Sequence, residues 1–162
     1  MLKQLKKNSA GFTIIEVLIV LAIAGLIMLI VFLAVPALQR NSRNTAIRND
    51  ASSSLSGANE FVTNNNGSLP TAANVNGTDV TFSSSASGTT PNVSRVRSGT
   101  NVTVQTPAVN VVGTAASTTG SVQVITNNGC NGNALVYKAR AIAASFLVET
   151  SGSATAVQCL ES

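Results

Sequence analysis

The chain has 162 residues, with ten Lys or Arg against six Asp or Glu, a formal charge of +4; that length holds one modest domain plus an anchor. It has no His and no Trp, and its two Cys stand at 130 and 159, so an ordinary zinc site lacks ligands and a His-based nucleophile–base pair cannot be built. Without Lys3, Lys6 and Lys7, seven basic residues face six acidic ones, which leaves no global field to attract nucleic acid or anionic lipid.

Between Val17 and Val35 no residue is charged. As a helix this stretch spans about 28 Å, close to the hydrocarbon thickness of a bilayer. Lysines before it and Arg40, Arg43 and Arg48 after it nearly balance, so charge alone does not orient it. The Ser- and Asn-rich remainder and the Cys pair favour an external C-terminal part and a cytoplasmic N-terminus. A cleaved secretory signal is the competing reading, with Val35-Pro36-Ala37 as its cleavage site. Such a signal has an apolar core of about 7 to 15 residues; this run is longer and contains a carboxylate, Glu16, that a discarded segment does not need.

An ionisable group in a spanning helix is costly and usually has a partner. The apolar run offers Glu16 no Lys, Arg or His. Cleavage after Gly11 would create an α-amino group on Phe12, one helical turn from Glu16, able to pair with it in the same chain or in a neighbouring one. The alternative is a Glu16 that is protonated or interfacial and has no role.

"KNSAGFTIIEVLIVLAIAGLI" resembles the class III signal of type IV pilins and pseudopilins, and is most similar to that of type IVa major pilins. The basic leader, Gly11, Phe12, Thr13, the glutamate at the fifth place after the cut and the apolar run carry the resemblance, over about 25 residues. It implies cleavage between Gly11 and Phe12 by a prepilin peptidase, N-methylation of Phe12, and pairing of Glu16 with the N-terminal amine of an adjacent subunit during assembly. It also implies a homo-oligomeric helical filament, raised by an assembly platform and partner ATPases, from a precursor held in the cytoplasmic membrane.

Pro36 should bend the helix rather than end it. Beyond it Leu38, Ile47, Ala51, Leu55, Ala58 and Val62 recur at helical spacing, predicting an amphipathic half that ends at Asn64-Asn65-Asn66-Gly67. Asp50 and Glu60 read as part of its solvated face, and Gly57 as a weak point. From Phe12 to about Thr63 the helix would be about 78 Å long. Residues 64–98 read as a polar, variable connection with one short strand, Asp79 to Phe82, and a loop over "SSSASGTTPN", 83–92.

Strand signals follow at 101–106, 121–126, 134–141, 145–150 and 156–161, with turns at Asn128-Gly129, Asn131-Gly132 and Ser151-Gly152-Ser153. One long bent strand over 134–150 is as compatible with the pattern as two. The expected fold is α+β: a long N-terminal helix, half transmembrane and half amphipathic, packed on an antiparallel sheet of four or five strands, as in pilins. Its parts are a leader (1–11), a membrane or filament-core helix (12–35), an amphipathic half (36–63), the connection (64–98) and the head (99–162). In an exported part, Cys130 and Cys159 read as one disulfide, the alternative being two buried thiols. In the resembled family a C-terminal region bounded in this way faces outward on the fibre.

Arg95 with Arg97, and Lys138 with Arg140, each lie on one side of an extended backbone. They offer basic surface contacts for DNA phosphates or an acidic polymer, or simply form a solvated or subunit-contact face. Sequons at Asn66, Asn76, Asn92 and Asn101 mark exposed loops more safely than sugar. No Gly-rich phosphate loop precedes a Lys-Ser/Thr pair. The expectation is a structural subunit, not an enzyme, without cofactor or metal: a surface filament serving adhesion, twitching or DNA uptake, with DNA or a surface receptor as its outer partner. The alternatives are a pseudopilin or minor pilin of a secretion or competence machine, and an anchored adhesin that never polymerises.

Overall fold

The computed structural model describes residues 11–84, 93–108, 110–152 and 154–162. The leader lysines, residues 85–92 of the expected loop, the Asn92 sequon and Ser153 lie outside them. A single helix, α1, runs from Ile14 to Asn64 and passes through Pro36 without interruption. Proline removes one backbone donor there, too little to end a helix with several turns of propagating bonds on each side. Two compact units divide the chain, Met1–Gln39 and Arg40–Ser162.

In the first unit every described residue is exposed. By length and composition α1 is able to cross a membrane. Its apolar residues surround the helix instead of forming a stripe, and an all-round apolar helix belongs in lipid or in a core built from several chains.

The second unit is where the helix becomes amphipathic. Ile47, Ala51, Leu55, Ala58 and Phe61 are buried along one stripe. One expected member is not in it: Leu38 is 71 % exposed, whereas Val62 is half-buried and packs against the core. Phe61, three residues after Ala58, falls on the stripe and fills the deep position with its ring. The helix stops where the Asn run predicts. Asn66 and Gly67 take positive φ of 53° and 82°, and the Gly67 N–H donates to the Val62 carbonyl at 2.8 Å. This is the Schellman arrangement, with an asparagine in its left-handed position.

The connection holds more structure than its composition suggests. Strands β1 (Ala72–Asn76), β2 (Asp79–Ser83) and β3 (Val93–Arg95) form an antiparallel sheet in that order, where a single strand was expected. A two-residue loop, Gly77-Thr78, joins β1 to β2, with Asn76 opposite Asp79 and Gly77 at φ 65°. The larger sheet contains β4 (Asn101–Gln105), β5 (Ser121–Asn131), β6 (Ala134–Glu149) and β7 (Thr155–Glu161), ordered β4-β5-β6-β7. It is mixed, not purely antiparallel: β4 pairs with β5 in parallel. Residues 106–120 form the long crossover that a parallel pair requires.

One further expectation changes, and one open alternative is decided. Asn128-Gly129 is not a turn; it lies inside β5, just past a bulge between Thr126 and Asn128, where Asn127 takes φ 56°. The 134–141 and 145–150 signals are one strand, β6, which continues through Arg140 at φ 63°. Val80 and Phe82 from the small sheet join Val122, Val124, Ile142 and Phe146 from the large one in a single core cluster with the helix stripe.

Polar contacts tie helix to sheet at chosen points. Asn44 Nδ2 donates to the Glu149 carbonyl at 2.8 Å, and the Glu149 N–H donates to Asn44 Oδ1 at 2.8 Å. Asp50 is 4 % exposed, contrary to the solvated placement expected of it. Its carboxylate accepts from the Arg97 N–H at 3.0 Å, Arg97 Nε at 3.0 Å and the Thr100 hydroxyl at 2.8 Å. Three donors satisfy the oxygens of this buried carboxylate. Gly57, read as a weak point, is where β3 presses on the helix: a Cβ there would lie 2.6 Å from Ser94 Cβ.

Candidate functional site at the helix start

Gly11 and Phe12 precede the helix and are exposed, Phe12 to 88 %. Thr13 caps it. The Glu16 N–H donates to Thr13 Oγ1 at 3.3 Å, and the Glu16 carboxylate reaches back to accept from the Thr13 N–H and the Thr13 hydroxyl, both at 2.8 Å. This reciprocal arrangement is the capping box of a Thr-x-x-Glu sequence. The first turn of a helix leaves N–H groups unpartnered and carries the positive end of its dipole. A carboxylate at the third position answers both.

Glu16 therefore has a partner within its own chain, and that partner is uncharged. The Thr-Ile-Ile-Glu spacing ahead of an apolar run was the available signal. The cap directs the carboxylate toward the N-terminal end of the helix, onto the N–H of the residue that follows Phe12. Its second oxygen, Oε1, is not used in the bonds to Thr13. Behind it, large apolar side chains from Ile14 to Leu38 stand open on all faces.

In the second unit, Cys130 and Cys159 form a disulfide across a Cα–Cα distance of 5.8 Å. Beside it Glu161 accepts from Lys138 Nζ and, at 2.9 Å, from the Cys130 N–H. Those two bonds, the lysine's first, hold the Glu161 carboxyl below the usual glutamate range. Arg43 grips Glu149 with Nε and Nη2, both at 2.7 Å, which lowers the Glu149 pKa and raises that of Arg43.

The paired basic residues do not act as pairs. Arg95 meets Asp79 at 3.4 Å, whereas Arg97 turns to Asp50. Lys138 is held by Glu161, whereas Arg140 Nη2 donates to the Gly67 carbonyl at 3.3 Å. Each of the four has an intramolecular partner. Among the described residues no group of three or more His, Cys, Asp or Glu is placed to hold a metal ion.

An exposed apolar helix, capped by a glutamate and preceded by a glycine–phenylalanine junction, fits the membrane anchoring of a precursor. The prokaryotic N-terminal methylation motif matches residues 6–32. The chain thus carries the class III signal of type IV pilins and pseudopilins, on an α+β fold of pilin type. A signal of this type implies processing by a prepilin peptidase and assembly with pilus machinery. No curated protein and no solved structure matches the chain.

Proposed function

We propose that the chain is a subunit, and the major one, of a type IV pilus-like surface filament. The observation that carries this reading is the open apolar helix with one carboxylate at its N-terminal end. Cleavage between Gly11 and Phe12 exposes a new amine, which becomes the methylated terminus. That amine lies one residue before the N–H to which Glu16 is already directed. In an incoming subunit, Glu16 docks against the Phe12 amine of the subunit before it. Apolar helices then leave lipid and pack on one another. Lipid and protein interior are similarly apolar, so packing and the charge pair supply the specificity. The finished filament serves attachment, twitching or DNA uptake at the cell surface.

Three variants in the native host test this. Gln at a capping-box third position still accepts the backbone bond, so Glu16→Gln removes the charge and keeps the cap. Glu16→Ala removes both, and Thr13→Ala removes the hydroxyl alone. Filament yield after shearing should fall sharply in both Glu16 variants and less in Thr13→Ala. The mature chain should begin at Phe12 in all three by mass spectrometry. Wild-type yield from Glu16→Gln would reduce Glu16 to a helix cap and end the docking role.

A further inference from the structure

The crossover 106–120 has a feature that the filament reading leaves unexplained. Val111 and Val112 are 48 % and 50 % exposed, and in Arg40–Ser162 they are the only large hydrophobic side chains exposed among the described residues. Everything around them holds them out. Asn128, fully buried, accepts from the Gly113 N–H at 3.0 Å and donates to the Val111 carbonyl at 3.4 Å. The Ala116 N–H donates to the buried Ser145 hydroxyl at 3.0 Å, and the Thr114 N–H to Gln105 Oε1 at 2.6 Å. Gly113 lies so close to the sheet that a Cβ would sit 2.4 Å from Ile125 Cγ2.

A loose loop could fold two valines inward. This one is pinned from beneath by buried side chains, so their exposure is built into the fold. Tyr137 is the cross-strand partner of Asn128 and shares its face of the sheet. It is half-buried.

We propose that the Val111–Val112 loop is a contact surface for the head of a second copy of this chain. The small size of the patch selects that occupant. Two half-exposed valines and part of a tyrosine are far short of the about 800 Å² per partner that a free-standing interface buries, so the patch cannot recruit a freely diffusing protein. A copy already tethered through its N-terminal helix is present at an effective concentration that makes a small contact sufficient. Scarce charge on the heads keeps repulsion between copies low. The contact rests on the filament reading and adds to it a head-to-head surface separate from the helix core.

The test places a benzophenone amino acid at position 112 of the full chain, expressed in its host and irradiated in intact sheared filaments. The expected result is a ladder at multiples of the subunit mass, with the crosslink mapping to residues 40–162 of another copy. A second variant, Val111→Ser with Val112→Ser, should keep the disulfide and leader cleavage yet lower filament yield at least fivefold. Filaments with no ladder, a crosslink to a different protein, or full yield from the double variant would overturn this contact and leave the filament reading standing. Failure of the wild-type chain to enter filaments would overturn both.

Discussion

Replacing Asp50 by Ala should be the most damaging single polar change in the head. The substitution strands three donors: the Arg97 N–H, the Arg97 guanidinium and the Thr100 hydroxyl. Hydrogen bonds to a charged group contribute about 1.5 to 3 kcal/mol each, but they are not additive here. The Arg97 side chain is 47 % exposed and regains water once released, which discounts its share. Thr100, at 4 % exposure, does not. About 3 kcal/mol is therefore expected, the lower end of what breaking a buried pair costs. At about 3 kcal/mol per molar guanidinium the unfolding midpoint would fall by about 1 M. Tyr137 is the sole tyrosine in a chain without tryptophan, so its fluorescence in the detergent-solubilised protein reports head unfolding specifically. Asp50→Asn, which keeps an acceptor, should lose about half as much. An Asp50→Ala midpoint equal to wild type would refute the idea that this carboxylate clamps the 96–100 segment to the helix.

Gly57→Ala should destabilise the head by about 1 to 3 kcal/mol through the Ser94 clash, outweighing the gain of about 1 kcal/mol in helix propensity; an unchanged or raised midpoint in the same assay would show that β3 simply shifts. Acid should weaken the head. Glu149 and Glu161 titrate below the ordinary value of 4.5 when folded, so the unfolded chain binds more protons in this range. Their contribution is full above about pH 4.5 and is lost as pH falls through their folded values, and a midpoint flat from pH 6 to pH 3 would contradict this. Reduction of Cys130–Cys159, which are 29 residues apart, should cost about 3 to 4 kcal/mol on the chain-entropy estimate, without altering membrane insertion; a midpoint indifferent to reductant would count against it.

The two ends of the problem were unequally legible. The anchor could be read because its signal is local: an uncharged run, a glutamate and a glycine–phenylalanine junction within 30 residues. The helix stop at Asn66-Gly67 and the larger sheet's strands were legible for the same reason, since turn residues and β-branched runs act on their own neighbourhood. Asp50 was misplaced because its partners, Arg97 and Thr100, lie about 50 residues away, although its position between Ile47 and Ala51 put it beside the buried stripe. The parallel pairing of β4 and β5 depends on where a long crossover lands, which no local pattern encodes. Asn76-Gly77 before an alternating run was a usable hairpin signal for β1 and β2, obscured by the polar composition around it. At Asn128-Gly129 the same dipeptide misled, because a bulge and a buried amide took the residues that a turn would have used.

The Asn44–Glu149 contact has a consequence for how copies can and cannot join. The last residue pair between β5 and β6 is Val122 with Phe146, so beyond it β6 loses its neighbour on that side while β7 continues on the other. There the Asn44 side chain supplies one donor and one acceptor to the Glu149 backbone, as a single residue of a missing strand would. An open stretch of peptide groups invites another polypeptide to zip onto it. A carboxamide seated at that point closes the vacancy and blocks edge-to-edge stacking of the sheet there.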